Sequence, residues 1–139
     1  MDYKRIMGLD IGDKRIGVAV SDLLMLTAQG VESYTRKSEE EDIAHMKKLS
    51  ADYNVKKIVC GLPINMNGTI GEQAEKIKVF AGKLKESLGI DIDYFDERLT
   101  TASATRTLIE ADVSRKNRKK VVDKVAAVYI LQAYMDSIK

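Results

Sequence analysis

The sequence predicts one three-layer α/β domain, residues 1–139, in which a mixed β-sheet is covered by helices on both faces. Three observations predict this class. Two short apolar strands open the chain as a hairpin, later apolar runs alternate with helical patterns, and no linker or internal repeat divides the chain. A length of 139 residues, 45% of them hydrophobic and 32% charged, is typical of a single folded domain with a real core.

The order of elements follows from hydrophobic periodicity. Gly12 and its polar neighbours predict a tight turn inside the opening hairpin, and the continuous apolar run KKIVCGL predicts an interior strand with a parallel neighbour. Thr69 and Glu72 match a capping box at the start of the second helix, which Gly89 ends. The predicted strands are residues 4–11, 15–21, 26–34, 56–62 and 90–95. The predicted helices are residues 38–54, 70–88, 100–112 and 118–137.

Several protein classes are excluded by composition. No run approaches the roughly 18 apolar residues of a membrane span and no signal peptide opens the chain, so we expect a cytoplasmic protein without a membrane partner. The only cysteine, Cys60, lies in an apolar run and is predicted to be a buried thiol. The only histidine, His45, is predicted to be solvent-exposed on an amphipathic helix, which argues against zinc and against histidine-dependent nucleophilic catalysis.

Three acidic residues do not fit a solvated surface. Asp10 follows the apolar run IMGL, Glu97 follows a strand at the end where open α/β sheets bind ligands, and Asp123 lies in the apolar helix VVDKVAAVYIL. Carboxylate oxygens from two strand ends and one helix are the hard donors that suit Mg²⁺ or Mn²⁺. These residues, Asp10, Glu97 and Asp123, are therefore the candidate catalytic and metal-binding residues, called below the three acids.

Each of the three acids also has a plain structural explanation. The Asp10 side chain could cap the turn at Gly12. Glu97 could belong to a solvated charge cluster with Asp96 and Arg98 ahead of a capped helix. Asp123 could be a first-turn residue stabilised by the helix dipole.

Basic residues are concentrated near the last of the three acids. The net charge is only +2, but five of the seven residues in SRKNRKK, 114–120, are cationic. Cations beside a candidate metal site suit the phosphates of a nucleic acid, although a merely soluble basic loop is the alternative. The candidate nucleic-acid-binding residues are Arg15, Arg98, Arg115, Lys116, Arg118, Lys119 and Lys120.

Four segments in register resemble the YqgF family of resolvase-like and ribosomal-RNA-processing nucleases, which belongs to the ribonuclease H-like superfamily. They are GLDIGDKRIGVAVSD, GLPINMNG, DERLTT and SRKNRKKVVDKVAAVYILQ. The resemblance implies a mixed five-stranded sheet with an antiparallel opening hairpin and parallel later strands. It also implies that the three acids cut phosphodiester bonds with divalent metal. An Asp-x-Gly hairpin also resembles the first phosphate loop of sugar kinases, but this sequence has no second copy of it.

The substrate implied by the resemblance is the precursor of 16S ribosomal RNA, cut at its 5′ end. Junction resolvases of the superfamily carry a carboxylate after the fourth strand and a second acid in the last helix. At those two places this sequence has Gly61-Leu62-Pro63 and Lys124. In the proline loop, GLPINMNG, it has Asn67 where the family has an aspartate, so we assign this loop to substrate positioning. Resolution of branched DNA and a non-catalytic RNA-binding role stay open as alternatives, as do ribosomal precursor particles as partners and a monomer or homodimer as the assembly.

Overall fold

A computed structural model describes residues 4–99 and 118–138, and for residues 118–122 it describes the backbone alone. The strands are β1 (Arg5–Ile11), β2 (Arg15–Ser21), β3 (Ala28–Thr35), β4 (Val55–Leu62) and β5 (Asp91–Asp96). The helices are α1 (Glu39–Asp52), α2 (Glu72–Leu88) and α3 (Arg118–Ser137), with a short 3₁₀ turn at Glu97–Leu99. The predicted helix 100–112 lies outside the described residues.

The five strands form one mixed sheet in the order β3-β2-β1-β4-β5. The opening hairpin is antiparallel, β3 adds to it in antiparallel, and β4 and β5 run parallel to β1. The predicted mixed five-stranded sheet is confirmed. Because β1, β4 and β5 are parallel, their carboxyl ends meet at one edge of the sheet.

Helices cover both faces of the sheet and divide the core in two. On one face α1 and α2 pack on apolar side chains of the sheet such as Leu9 and Ile58, against which α2 buries Leu84. On the other face α3 buries Ala127, Ile130 and its apolar neighbours against the sheet. The three-layer architecture predicted from the alternating pattern is thereby confirmed.

Two sequence-based predictions were wrong. The second helix begins at Glu72 rather than near Ile70, and its N-cap Gly71 makes no side-chain capping bond. Thr69 does not form the predicted capping box because its hydroxyl donates to Asn67 Oδ1 at 2.7 Å. Local bonding inside the polar loop therefore competes successfully with the helix end.

The second error concerns the histidine. His45 is partly buried: its ring stacks on Tyr34 with centroids 4.1 Å apart, and it bonds to Glu32. Side chains of two β3 residues, Glu32 and Tyr34, therefore cover part of the polar surface of α1 at His45. Cys60, by contrast, is buried as predicted, and burial raises the pKa of its thiol to about 12. None of the described helices is long and apolar enough to span a membrane.

Candidate active site

The three acids line a single cleft at the carboxyl edge of the parallel strands. This acidic cleft has a volume of about 240 Å³. Its lining residues are Asp10, Ile11, Gly12, Pro63, Gln73, Ile77, Glu97 and Asp123. Residues separated by more than a hundred positions along the chain are therefore brought to one concave surface, which is where open α/β sheets bind ligands.

Each acid is held by a different element. Asp10 is the next-to-last residue of β1 and pairs with Gly17 of β2. Glu97 opens the 3₁₀ turn after β5 and is only 9% exposed. The interpretation of Glu97 as part of a solvated cluster is therefore wrong.

The two neighbours of Glu97 form the exposed ion pair on their own. Arg98 donates to Asp96 through its backbone N–H at 2.9 Å and its guanidinium at 2.7 Å. The bond from Arg98 holds the pKa of Asp96 below its usual range. The pair fixes the turn that directs Glu97 inward while both partners stay near solvent.

Asp123 is the sixth residue of α3, and the first turn of that helix contains no acidic residue. It is thus too far from the helix start for the dipole explanation, which acts mainly within the first turn. As predicted, Asp123 shares a helix face with the buried residues Ala126, Ala127 and Ile130. Its side chain is 21% exposed and faces the cleft rather than bulk solvent.

The charge of Asp123 is partly offset by a basic side chain from the hairpin. Arg15, the first residue of β2, donates from Nε to Asp123 Oδ2 at 2.8 Å. The Ser33 hydroxyl of β3 donates to the same oxygen at 3.5 Å. The cleft therefore has an ion pair at its α3 side.

The donor set of the acidic cleft fits a hard divalent cation. Three carboxylates supply only oxygen ligands, the type preferred by Mg²⁺ and Mn²⁺ over zinc. Within residues 4–99 and 118–138, no three acidic, histidine or cysteine side chains already stand close enough to form a metal centre. The oxygen donors are thus of the type that suits such a cation, while Arg15 bonds one of the two carboxylate oxygens of Asp123.

Of the remaining predicted nucleic-acid contacts, the structure describes the side chain of Arg98 alone. Arg98 also reaches the proline loop, where Nη1 donates to the Asn65 carbonyl at 3.3 Å. Arg118, Lys119 and Lys120 begin α3, but their side chains are outside the described set, and Arg115 and Lys116 lie outside the described residues altogether.

Sequence reasoning missed two residues of this region. Gln73, near the start of α2, lines the cleft together with Pro63 of the proline loop, and Ser33 reaches Asp123 from β3. Gln73 could have been found, because it follows the loop after β4, at the edge of the sheet where ligands bind. Ser33 could not, since its position depends on strand pairing at the far edge of the hairpin.

The proline loop forms a small ordered hairpin beside the cleft. Ile64 and Ile70 form an antiparallel bridge, and the Gly68 N–H donates to the Asn65 carbonyl at 2.8 Å. Gly68 has a φ of 85°, which favours glycine. The turn projects Met66 into solvent, where it is 92% exposed.

Two solved structures of Holliday junction resolvases have a fold similar to that of this chain. The chain superposes on *Thermus thermophilus* RuvC bound to a Holliday junction with a TM-score of 0.60 at 12% identity, covering 98% of this chain and 96% of that one. The fowlpox virus Holliday junction resolvase gives a TM-score of 0.56 at 18% identity, with coverage of 97% and 99%. The chain thus has the ribonuclease H-like fold of these two proteins, built on a mixed five-stranded sheet.

The chain belongs to the RuvX family, described as Holliday junction resolvases, whose model matches residues 4–137. A relative from *Clostridium acetobutylicum* with the provisional name pre-16S rRNA nuclease is 58% identical over 134 residues, covering 96% of this chain and 99% of its own. A *Clostridioides difficile* relative with the same name is 57% identical over 132 residues, 95% of this chain and 94% of its own. The resemblance to the YqgF family, equivalent to RuvX, is confirmed, and the family is one of nucleases, hydrolases acting on ester bonds.

Proposed function

We propose that this protein is a divalent-metal-dependent nuclease that cuts structured RNA and trims the 5′ end of the precursor of 16S ribosomal RNA. The observation that carries the proposal is the acidic cleft itself, where carboxylates from β1, the turn after β5 and α3 face one volume of about 240 Å³. The proposed catalytic and metal-binding residues are Asp10, Glu97 and Asp123. The proposed cofactor is Mg²⁺ or Mn²⁺.

The chemistry follows from the side chains present. A divalent cation held by the three acids would supply activation of water and stabilisation of the leaving oxygen. Arg15 and Arg98 provide positive charge for backbone phosphates on either side of the cleft, and Gln73 offers an amide for orienting the substrate. Pro63 and its loop position the strand being cut.

RNA is the favoured substrate for two reasons. The relatives that are 57–58% identical over nearly the whole chain are named pre-16S rRNA nucleases. In addition, β4 ends without the acid that junction resolvases carry in this region, and a side chain at Gly61 would require Ile130 to move, because a Cβ there would lie 2.5 Å from Ile130 Cδ1. Resolution of four-way DNA junctions is the second candidate, supported by the description of the family.

The deciding experiment compares cleavage of a structured RNA carrying a 5′ extension with cleavage of a four-way DNA junction, in Mg²⁺ and in Mn²⁺. Asp10→Asn and Asp123→Asn are expected to reduce RNA cleavage to background. Asp52→Asn is the matched control, because Asp52 is an exposed acid at the end of α1 that leads into the start of β4, opposite the cleft.

Each other outcome has a distinct meaning. Cutting of the junction alone would replace the RNA proposal with the resolvase candidate. Tight RNA binding without cleavage in either metal would indicate a non-catalytic accessory role. Cleavage unaffected by both variants would remove the acidic cleft as the active site.

A further inference from the structure

Arg15 engages one of the candidate metal ligands directly. Its Nε lies 2.8 Å from Asp123 Oδ2, and the two side chains are 22% and 21% exposed. The bond joins the first residue of β2 to α3 across 108 positions of sequence. Shielding from solvent makes this a stronger interaction than a surface ion pair, while access to the cleft remains open.

The Arg15 guanidinium and a divalent cation would compete at Asp123. A cation held by the Asp123 carboxylate would lie close to the guanidinium that now bonds Oδ2, and the two positive groups would repel each other. Arginine is also well suited to phosphate, because its planar donor fork matches two phosphate oxygens. A substrate phosphate would therefore give Arg15 another partner beside the same cleft.

We infer that Arg15 is an exchangeable counter-ion of Asp123. It neutralises that carboxylate when the cleft holds no cation, and it transfers to a backbone phosphate when cation and nucleic acid bind together. This inference rests on the proposed function and adds its regulation: binding of metal and binding of nucleic acid favour each other, through Arg15. By linkage, each ligand then tightens the other by the same factor.

The first measurement is Mn²⁺ binding by calorimetry without nucleic acid. Arg15→Gln is expected to bind Mn²⁺ more tightly than wild type, by about fivefold or more if the coupling is of ordinary allosteric size. Lys83→Gln is the matched control, since Lys83 forms a 2.8 Å ion pair with Glu39 on the exposed surface. It loses the same charge and is expected to bind Mn²⁺ as wild type does.

The second measurement is RNA affinity by stopped-flow anisotropy, in EDTA and in Mn²⁺ before cleavage proceeds. Mn²⁺ is expected to tighten RNA binding to wild type, whereas Arg15→Gln loses this increase and Arg15→Lys regains part of it. Melting temperatures establish that the variants are folded. An Arg15→Gln variant with unchanged or weaker Mn²⁺ affinity would overturn the inference.

Asp123→Asn separates this inference from the proposed function. If Asp123→Asn binds Mn²⁺ as well as wild type does, the metal site of the proposed function is wrong and the inference falls with it. If Asp123→Asn no longer binds Mn²⁺ and Arg15→Gln binds Mn²⁺ no more tightly than wild type does, the proposed function stands and only the role of Arg15 is rejected.

Discussion

Gly17 of β2 lies against the backbone of Asp123 in α3, so closely that a Cβ on residue 17 would stand 1.9 Å from the Asp123 carbonyl oxygen. Gly17 is also the partner of Asp10 in the opening hairpin. Because Gly17 has no side chain, α3 can approach the sheet next to Asp10, the first candidate ligand. The same helix carries Asp123, the second candidate ligand. This contact explains how the sequence brings two of the three acids together.

Gly17→Ala is expected to push α3 away from the sheet. Overpacking a well-packed site costs typically about 1–3 kcal/mol of unfolding free energy, and the upper end is expected because the obstructing atoms belong to backbone. The cleavage rate should fall by more than the loss of folded protein explains, because Asp123 moves relative to Asp10. Denaturant unfolding and cleavage rates measure the two effects.

Gly82→Ala is the control, because it is expected to raise stability where Gly17→Ala lowers it. Gly82 lies on the exposed face of α2, and a Cβ there meets no atom of the described chain within 4 Å. Replacing a helical glycine with alanine stabilises by roughly 0.5–1 kcal/mol. Equal activity in Gly17→Ala and wild type would show that the close contact does not position the acidic cleft.

A buried acid behind the cleft makes stability depend on pH. The carboxylate of Asp42 in α1 accepts hydrogen bonds from the Tyr34 hydroxyl at 3.0 Å, from Arg36 Nε at 3.0 Å and from the Lys37 N–H at 2.9 Å. Burial opposes its ionisation, but these donors outweigh burial and hold the pKa of Asp42 below its usual range. Arg36 in turn donates to the Gly12 carbonyl at 2.9 Å, which ties this network to the turn after Asp10.

Asp42→Asn is expected to lower the free energy of unfolding at pH 7 by about 1.5–3 kcal/mol, the usual value of a hydrogen bond to a charged group. Because the folded pKa lies below the unfolded one, the stabilisation is present above the unfolded pKa and is lost as pH falls through the folded pKa. The difference in unfolding free energy between wild type and Asp42→Asn should therefore narrow below about pH 4. Urea unfolding at several pH values measures it, with Asp52→Asn as the charge-matched control. A gap that stays constant down to pH 2 would contradict this assignment.

Much of the fold was predictable because the sequence is locally consistent. The hairpin at Gly12, the parallel pairing of the KKIVCGL strand and the helix ending at Gly89 each follow from strong local signals. The capping box was not predictable in the same way: Thr69 and Glu72 satisfy the pattern, but Asn67 offers Thr69 a nearer partner. Motif spacing specifies which bonds are possible and leaves open which one forms.

The candidate site was predicted only in part. Position along the chain placed the three acids at strand ends and on the last helix, and the structure brings them to one cleft. The pairing of Arg15 with Asp123 was beyond sequence reasoning, because it depends on how α3 crosses β2. The sequence suggested a phosphate contact for Arg15, whereas the structure gives it a carboxylate partner.

The proline loop leads to the last prediction. Its turn presents Met66 at 92% exposure beside the cleft, and Arg98 bonds the loop through the Asn65 carbonyl. An exposed methionine on an ordered loop is suited to contact unstacked bases, which is an apolar interaction. Under the proposed function, Met66 helps to position structured RNA.

Met66→Ala is expected to weaken RNA binding several-fold without changing its salt dependence, because no charge is removed. Neutralising Arg115, Lys116, Lys119 and Lys120 should instead flatten that salt dependence, since each lost phosphate contact reduces the slope. Leu24→Ala is the matched control: Leu24 is 74% exposed, but its loop between β2 and β3 lies at the opposite end of the sheet. Fluorescence anisotropy over a salt series measures affinity and slope together. If Met66→Ala and Leu24→Ala bind RNA equally well, the loop does not contact the bases.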